Sequence, residues 1–212
     1  MKKRIALMGA TGQTGQKFLE IALNNGYEVQ VLVRNKSKLK SSNPNLTVIE
    51  GDVLNSNDVD KAIYNAHIVV SLFCHVKDSP EWVQTNGTKN IIAAMQKNNV
   101  DRIISLSGGG LPFPAKDEPK FIDKMIRTIM KIVVPKVLND AIAHADVLKN
   151  SDKKWVVVRG PRLTNDERIG SYKIGWVGVN SGTKISRSDL ADFILTQVED
   201  ETFNFQMPFV SI

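Results

Sequence analysis

The sequence predicts an α/β chain in which a doubly wound parallel sheet carries helices on both faces. Three observations support this. Short, continuous apolar runs recur along the 212 residues, separated by stretches with helical spacing. Such runs read as strands buried on both faces, because parallel strands are covered by crossover helices. The first run breaks into glycines at Gly9, Gly12 and Gly15 and then takes a helical pattern at Phe18, Leu19, Ile21 and Ala22. No composition break, internal repeat or low-complexity tract divides the chain. Residues 1–212 therefore read as a single domain, with about 160–212 contributing to a ligand pocket.

The elements follow in order. Ile5 to Met8 is the first strand, and Tyr27 to Arg34, with Val29, Val31, Leu32 and Val33, the second. Leu46 to Glu50 is the third. Asp58 to Asn65 is a short helix, and His67 to Phe73 a strongly β-branched fourth strand. Val83, Ile91, Ile92, Ala94 and Met95 place a helix over Glu81 to Asn98. Arg102 to Ser107 is the fifth strand. A long helical stretch runs from about Lys120 to Lys149 and breaks near Pro135. Trp155 to Arg159 is the sixth strand. Gly160-Pro161 then marks a turn, Tyr172 to Val179 reads as an extra strand, and Ser188 caps a helix through Phe193, Ile194 and Leu195. Phe203 to Met207 reads as a last short strand. Right-handed crossovers between parallel strands make this a Rossmann-like sheet.

A strand, a glycine-rich turn and a helix form the signature of a dinucleotide-binding unit. One glycine turns the chain, one lets the backbone approach a pyrophosphate, and one lets helix and strand pack closely. The first N–H groups of the helix then face the phosphates, where the helix dipole favours negative charge. The spacing here is G-x-x-G-x-x-G. Glycines also mark ordinary turns; the position after the first strand favours the binding reading.

The residue ending the second strand meets the adenosine ribose in this architecture. Here it is Arg34, 19 positions after Gly15, close to the expected ~20. Lys36, Ser37 and Lys38 follow. An arginine fork matches phosphate geometry, so NADP(H) is favoured over NAD(H); the competing reading is a solvated basic loop. Asp52 and Val53, after the third strand, suit the adenine amino group and ring, and Asp52 equally suits a helix-initiating turn.

Bulk properties bound the partners. Hydrophobic residues are 42%, charged residues 24%, and the net charge is +6. Lys and Arg are scattered rather than gathered into a basic arm, which disfavours nucleic acid. No apolar run reaches the roughly 18 residues of a membrane span, and Ile5 to Met8 is too short for a signal-peptide core. The expectation is a cytoplasmic protein, a monomer or weak homodimer, that binds no nucleic acid and no membrane. The lone Cys74 forms no internal disulfide, and no Cys/His spacing suggests a metal.

With these residues read, the chain resembles atypical short-chain dehydrogenases/reductases of the NAD(P)H-binding, NmrA-like group, and especially the flavin reductase/biliverdin reductase B type and its bacterial NADH-flavin reductase relatives. The matching segments are Gly9-Ala-Thr-Gly-Gln-Thr-Gly15, Val31-Leu-Val-Arg34, Gly51-Asp52-Val53 and Arg102-Ile-Ile-Ser-Leu-Ser107. Trp155-Val-Val-Val-Arg-Gly-Pro-Arg-Leu163 and Ile185-Ser-Arg-Ser-Asp-Leu190 extend the likeness over essentially the whole chain. The resemblance implies that Thr11, Gly12, Gln13 and Thr14 wrap the pyrophosphate and that Arg34 and Lys38 hold the 2′-phosphate. It implies that Leu72 and Phe73 border the cofactor. Leu106, Ser107 and Gly108 would lie beside the nicotinamide ribose, and Pro161, Arg162 and Leu163 would cover the nicotinamide.

The departures bear on mechanism. Ordinary short-chain dehydrogenases use a Tyr-x-x-x-Lys pair. Four residues beyond Tyr27, Tyr64 and Tyr172 stand Val31, Ile68 and Trp176, so the pair is absent. A ketone needs a positioned acid on hydride addition; a flavin or quinone spreads the incoming charge and takes its proton from solvent. The reading is hydride transfer to such a conjugated small-molecule redox acceptor, with Arg162 stabilising developing anion charge and Ser107 donating a hydrogen bond. The alternative is a non-enzymatic NADP(H)-binding sensor. His144 reads as a surface or interface residue near where related enzymes place catalytic groups. His75 sits at a strand end where ligands bind, and Cys74 reads as a small buried hydrophobe. Gly108-Gly109-Gly110 suggests a mobile loop. The apolar stretch Met125 to Val134 reads as core, as a substrate wall or as an oligomer face.

Overall fold

The computed structural model describes residues 2–39, 42–75 and 79–212. Among these, ten strands and six helices form. The first six strands are β1 (Arg4–Met8), β2 (Glu28–Val33), β3 (Leu46–Glu50), β4 (Ile68–Ser71), β5 (Arg102–Gly108) and β6 (Lys154–Gly160). Three short strands follow: β7 (Arg162–Thr164), β8 (Lys173–Gly175) and β9 (Lys184–Ser186), before β10 (Phe209–Ser211). The main sheet runs β3-β2-β1-β4-β5-β6-β10-β8. Its first six strands are all parallel, β10 joins parallel to β6, and β8 closes the edge antiparallel to β10. Strand order reverses between β1 and β4, the switch point at which open α/β sheets bind ligands.

Both faces of this sheet are buried, for the reason the apolar runs imply. Ile5 and Leu7 of β1, with Val29 and Val31, pack beneath α1 (Gln13–Asn24) and α6 (Arg187–Thr196), beside Phe18, Leu190 and Phe193. Ala6 and Met8 alternate to the other face, with Val69, Ile103 and Val157. That face carries α2 (Ser56–Ile63), α3 (Val83–Lys97) and α5 (Pro135–Lys149). α4 (Phe121–Val133) joins neither core and has no buried residue. The core reading of its apolar stretch is thereby overturned.

The break before Pro135 falls where the sequence places it, with the proline at the first position of α5, where its missing N–H costs nothing. Other boundaries moved. The cap of α6 is Ser186, not Ser188: its hydroxyl accepts from the N–H of Asp189 and donates to that carboxylate. The last strand is Phe209–Ser211 rather than 203–207, because register with β6 pairs Phe209 with Arg159. The stretch 172–179 is strand only at Lys173–Gly175, after which the chain turns between Trp176 and Val179. Arg162 and Leu163 lie in β7, which pairs with β9, not in an open loop.

Candidate functional site: a cofactor crevice and an adjoining cavity

The crevice begins at the turn after β1. Gly9 has φ of 87°, and a Cβ there would lie 2.7 Å from the backbone at Leu72 and Phe73. A Cβ on Gly15 would come within 2.0 Å of the Gly9 carbonyl oxygen, so this glycine sets how closely α1 meets β1. Gly12 is the N-cap of α1, exposed, with extended backbone and no side-chain cap. The N–H groups of Gln13, Thr14 and Gly15 thus open the helix without an intrahelical acceptor. No acidic residue occupies that first turn. A concave turn with no side chain at Gly9 or Gly12, at a positive helix end, suits a pyrophosphate.

A cavity of about 250 Å³ extends from this turn across the ends of β1, β2 and β4. Gly12, Arg34, Asp52, Val53, Leu72 and Phe73 are among its walls. The sequence thus names much of this wall. Arg34 is exposed, and among the described residues its guanidinium has no carboxylate partner. Lys38 lies apart, in a hollow along α1 whose wall also includes Thr11 and Ser37. Asp52 accepts from the N–H of Leu54, while Asn55 caps α2; the helix-initiating role passes to Asn55. Cys74 is exposed and lines the crevice, contrary to the buried reading.

Three residues that shape this end were missed. Gln84, almost fully buried, donates to the carbonyls of Phe73 and Leu106 and so ties the ends of β4 and β5 together. Gly87 of α3 is small because a Cβ would meet Phe73 and Val53 at 2.8 and 2.9 Å. Asp140, fully buried on α5, accepts from the N–H groups of Gln84 and Thr85. It caps α3 from outside, since Trp82 at the N-cap offers no side-chain bond. His75 Nδ1 lies 3.4 Å from Asp140 without making a hydrogen bond.

His144 is neither at the surface nor at an interface. Its ring is fully buried, 2.8 Å from Thr88 Oγ1 and 3.0 Å from Ser105 Oγ. Burial pushes its pKa down to about 4 against a smaller upward pull from Asp140, so the ring is a neutral strut. Of the tyrosines, Tyr172 bonds to Asp192, and burial and that carboxylate push its hydroxyl up to about 12. That is the opposite of the lowering a neighbouring lysine provides.

A second cavity, about 660 Å³, opens past the ends of β5 and β6. Gly108, Pro161 and Arg162 reach it, as do Ile122, Ile126 and Arg127 of α4. Leu163 packs toward the core instead. Ser107, next to Gly108, is buried, and its hydroxyl lacks a partner among the described residues. An orphaned hydroxyl at this edge fits a donor that meets a ligand polar atom.

The loop over this cavity is pinned rather than loose. Arg159 is fully buried; its Nη1 and Nη2 each lie 2.7 Å from an Asp117 carboxylate oxygen. Nη1 also donates to the Leu111 carbonyl and Nε to that of Met207. Asp117 in turn accepts from the N–H groups of Phe113 and Val177. An arginine inside the run Val156-Val-Val-Arg159 was the available signal, since a buried charge requires a partner.

The fold and crevice define a protein with a Rossmann-like, dinucleotide-binding architecture. A family model described as NAD(P)H-binding matches residues 9–201. The chain belongs to this NAD(P)H-binding family. It is similar to an uncharacterized chloroplastic protein of Arabidopsis thaliana, At2g34460, at 31% identity over 97% of this chain and 75% of that one. It also resembles Bacillus subtilis YwnB, at 25% identity over 92% of each. Among solved structures, a short-chain dehydrogenase/reductase from Veillonella parvula in complex with NADP superposes with a TM-score of 0.83 at 22% identity, covering 100% of this chain and 95% of that one. ChuY, an anaerobillin reductase from Escherichia coli O157:H7, superposes at 0.78 with 16% identity, covering 99% and 97%. At these identities the structural likeness concerns the fold. Among the described residues no helix is long and apolar enough to cross a membrane, and no cluster of three or more His, Cys, Asp or Glu could hold a metal ion.

Proposed function

We propose that the chain is an NADPH-dependent reductase acting on a flavin, quinone or similar conjugated acceptor. The observation that carries this reading is the 660 Å³ cavity beside the crevice, walled by α4 and by Arg162 yet served by no lysine-activated tyrosine. The dinucleotide fits the residues present: a side-chain-free turn at Gly12 for its pyrophosphate, and an unpaired Arg34 for a 2′-phosphate. The chemistry it supplies when bound is hydride donation. The chain's own part is to orient donor and acceptor and to stabilise charge. Arg162 faces the cavity where anionic charge develops, and Ser107, buried beside Gly108 with a hydroxyl that has no partner among the described residues, is the nearby group free to donate. ChuY, an anaerobillin reductase, shares this fold, which is compatible with a reductase reading. Lys38 joins Arg34 at the 2′-phosphate only if the loop of residues 36–39 moves toward the crevice.

The test is oxidation of NADPH against a panel of flavins and quinones. The rate should saturate with one class of acceptor, and Arg162→Ala should lower kcat/KM about tenfold, the scale of one charge-assisted hydrogen bond. Tight NADPH binding with no accelerated turnover on any acceptor would replace the reductase with a sensor.

A further inference from the structure

α4 departs from the other helices. One half of its circumference is apolar, formed by Phe121, Ile122, Met125, Ile126, Ile129 and Ile132. A face of this kind normally packs into a core. Here it faces outward, with Phe121 80% and Ile132 76% exposed. The protein-facing side is instead Asp123, Arg127 and Met130, the half-buried residues of the helix. Between these two sides the helix carries the exposed Lys124 and Lys131, with Lys120 at the N-cap; Lys136, just beyond, is paired with Glu81. Asp123, the one acid of the helix, is engaged by the N–H of Lys120. An exposed apolar face flanked by cations is the composition of helices that lie in the interface of anionic bilayers.

We propose that α4 docks this protein on an anionic lipid surface, with its apolar face in the headgroup boundary and its lysines toward lipid phosphates. The helix lies in the plane of the surface and spans nothing, which revises the expectation of no membrane contact drawn from the absence of a long apolar run. A second copy fits less well, because like charges would be juxtaposed if two such helices paired through the same face. Ile122 and Ile126 belong both to this face and to the wall of the large cavity. Resting on the reductase reading, docking would bring the cavity mouth to the bilayer, so that a lipophilic acceptor could enter from it.

Flotation of the full-length protein with phosphatidylcholine vesicles, with and without phosphatidylglycerol, tests the surface. The protein should float with phosphatidylglycerol vesicles, and the floated fraction should fall as salt rises. Ile132→Glu should lower partitioning at least tenfold, the scale of removing one large apolar side chain from the interface. Lys131→Glu should lower it on phosphatidylglycerol vesicles only. Neither residue lines a cavity, so NADP(H) affinity and helical circular dichroism should be unchanged in both variants. No flotation of the wild type, or full retention by Ile132→Glu, overturns the proposal. So does a concentration-dependent dimer that Ile132→Glu dissolves in the absence of vesicle binding. Flotation reads the surface without turnover: a failed acceptor panel leaves it standing, and failed flotation leaves the reductase reading standing.

Discussion

The crevice and the larger cavity share one edge of the sheet and are built by opposite means. The crevice is made by what is missing: Gly9, Gly12 and Gly15 leave out side chains so that backbone can meet backbone or ligand. The cavity is made by what is present, chiefly a buried Arg159 that gathers Leu111, Asp117 and Met207 around one guanidinium. A turn made by glycines is local and depends on spacing. A pocket made by an ion pair spans 42 residues of chain and depends on the fold. The crevice should therefore tolerate damage at the large cavity, and the reverse.

Four experiments test that contrast. Arg159→Met leaves the Asp117 carboxylate buried without its cation, which typically costs 3–5 kcal/mol. Chemical denaturation should show a loss of about that size. NADP(H) titration of the folded fraction should be near wild type; loss of cofactor binding there would mean that the two ends are not separable. Smaller is the cost carried by His144, which belongs to the scaffold between them. Its folded pKa of about 4 lies below the ordinary 6.5, so the unfolded chain binds the proton first as pH falls. The contribution is full above pH 6.5 and is lost between there and about 4, by up to ~3 kcal/mol. Melting temperatures across this window should drop less steeply in His144→Gln than in the wild type; parallel curves would show that the ring is not a neutral strut.

Arg34→Ala should weaken NADPH by roughly ten- to a hundredfold, or about 1.5–3 kcal/mol. NADH should be nearly unaffected. Equal affinities in the wild type would remove the 2′-phosphate role. The smallest change in stability belongs to Gly12→Ala. Its φ of −72° suits any residue and the added Cβ would lie 3.3 Å from the Gly9 oxygen, so unfolding should shift by under about 0.5 kcal/mol. On the proposed binding mode cofactor affinity should nonetheless fall, because the methyl group would crowd a pyrophosphate held at this turn. An unchanged affinity would show that phosphate is held elsewhere.

Much of this was legible in the sequence because it is periodic or local. β3 falls on Leu46–Glu50 as read, and the break at Pro135 is where ring chemistry demands it. Alternation of Ile5, Ala6, Leu7 and Met8 to opposite faces follows from the strand's period of two. Gly9, Gly12, Gly15 and Arg34 were found by position relative to the first two strands. By contrast, nothing within a few residues of Asp140 says that it caps α3, 56 residues away from Gln84. Nothing near His144 says whether it faces solvent or the hydroxyls of Thr88 and Ser105. The amphipathic pattern of α4 announced a buried face, and only the packing of α5 and the 109–119 loop left that face outside.

Side-chain period and the conformational freedom of glycine make the parallel sheet and the glycine turn after β1 readable from the sequence alone. Tertiary structure alone decided which polar side chains meet in the interior, how Arg159 shapes the cavity and which helix face remains exposed. These depend on contacts between residues far apart in the chain, and a buried charge or an apolar stripe shows in sequence only that some partner is required.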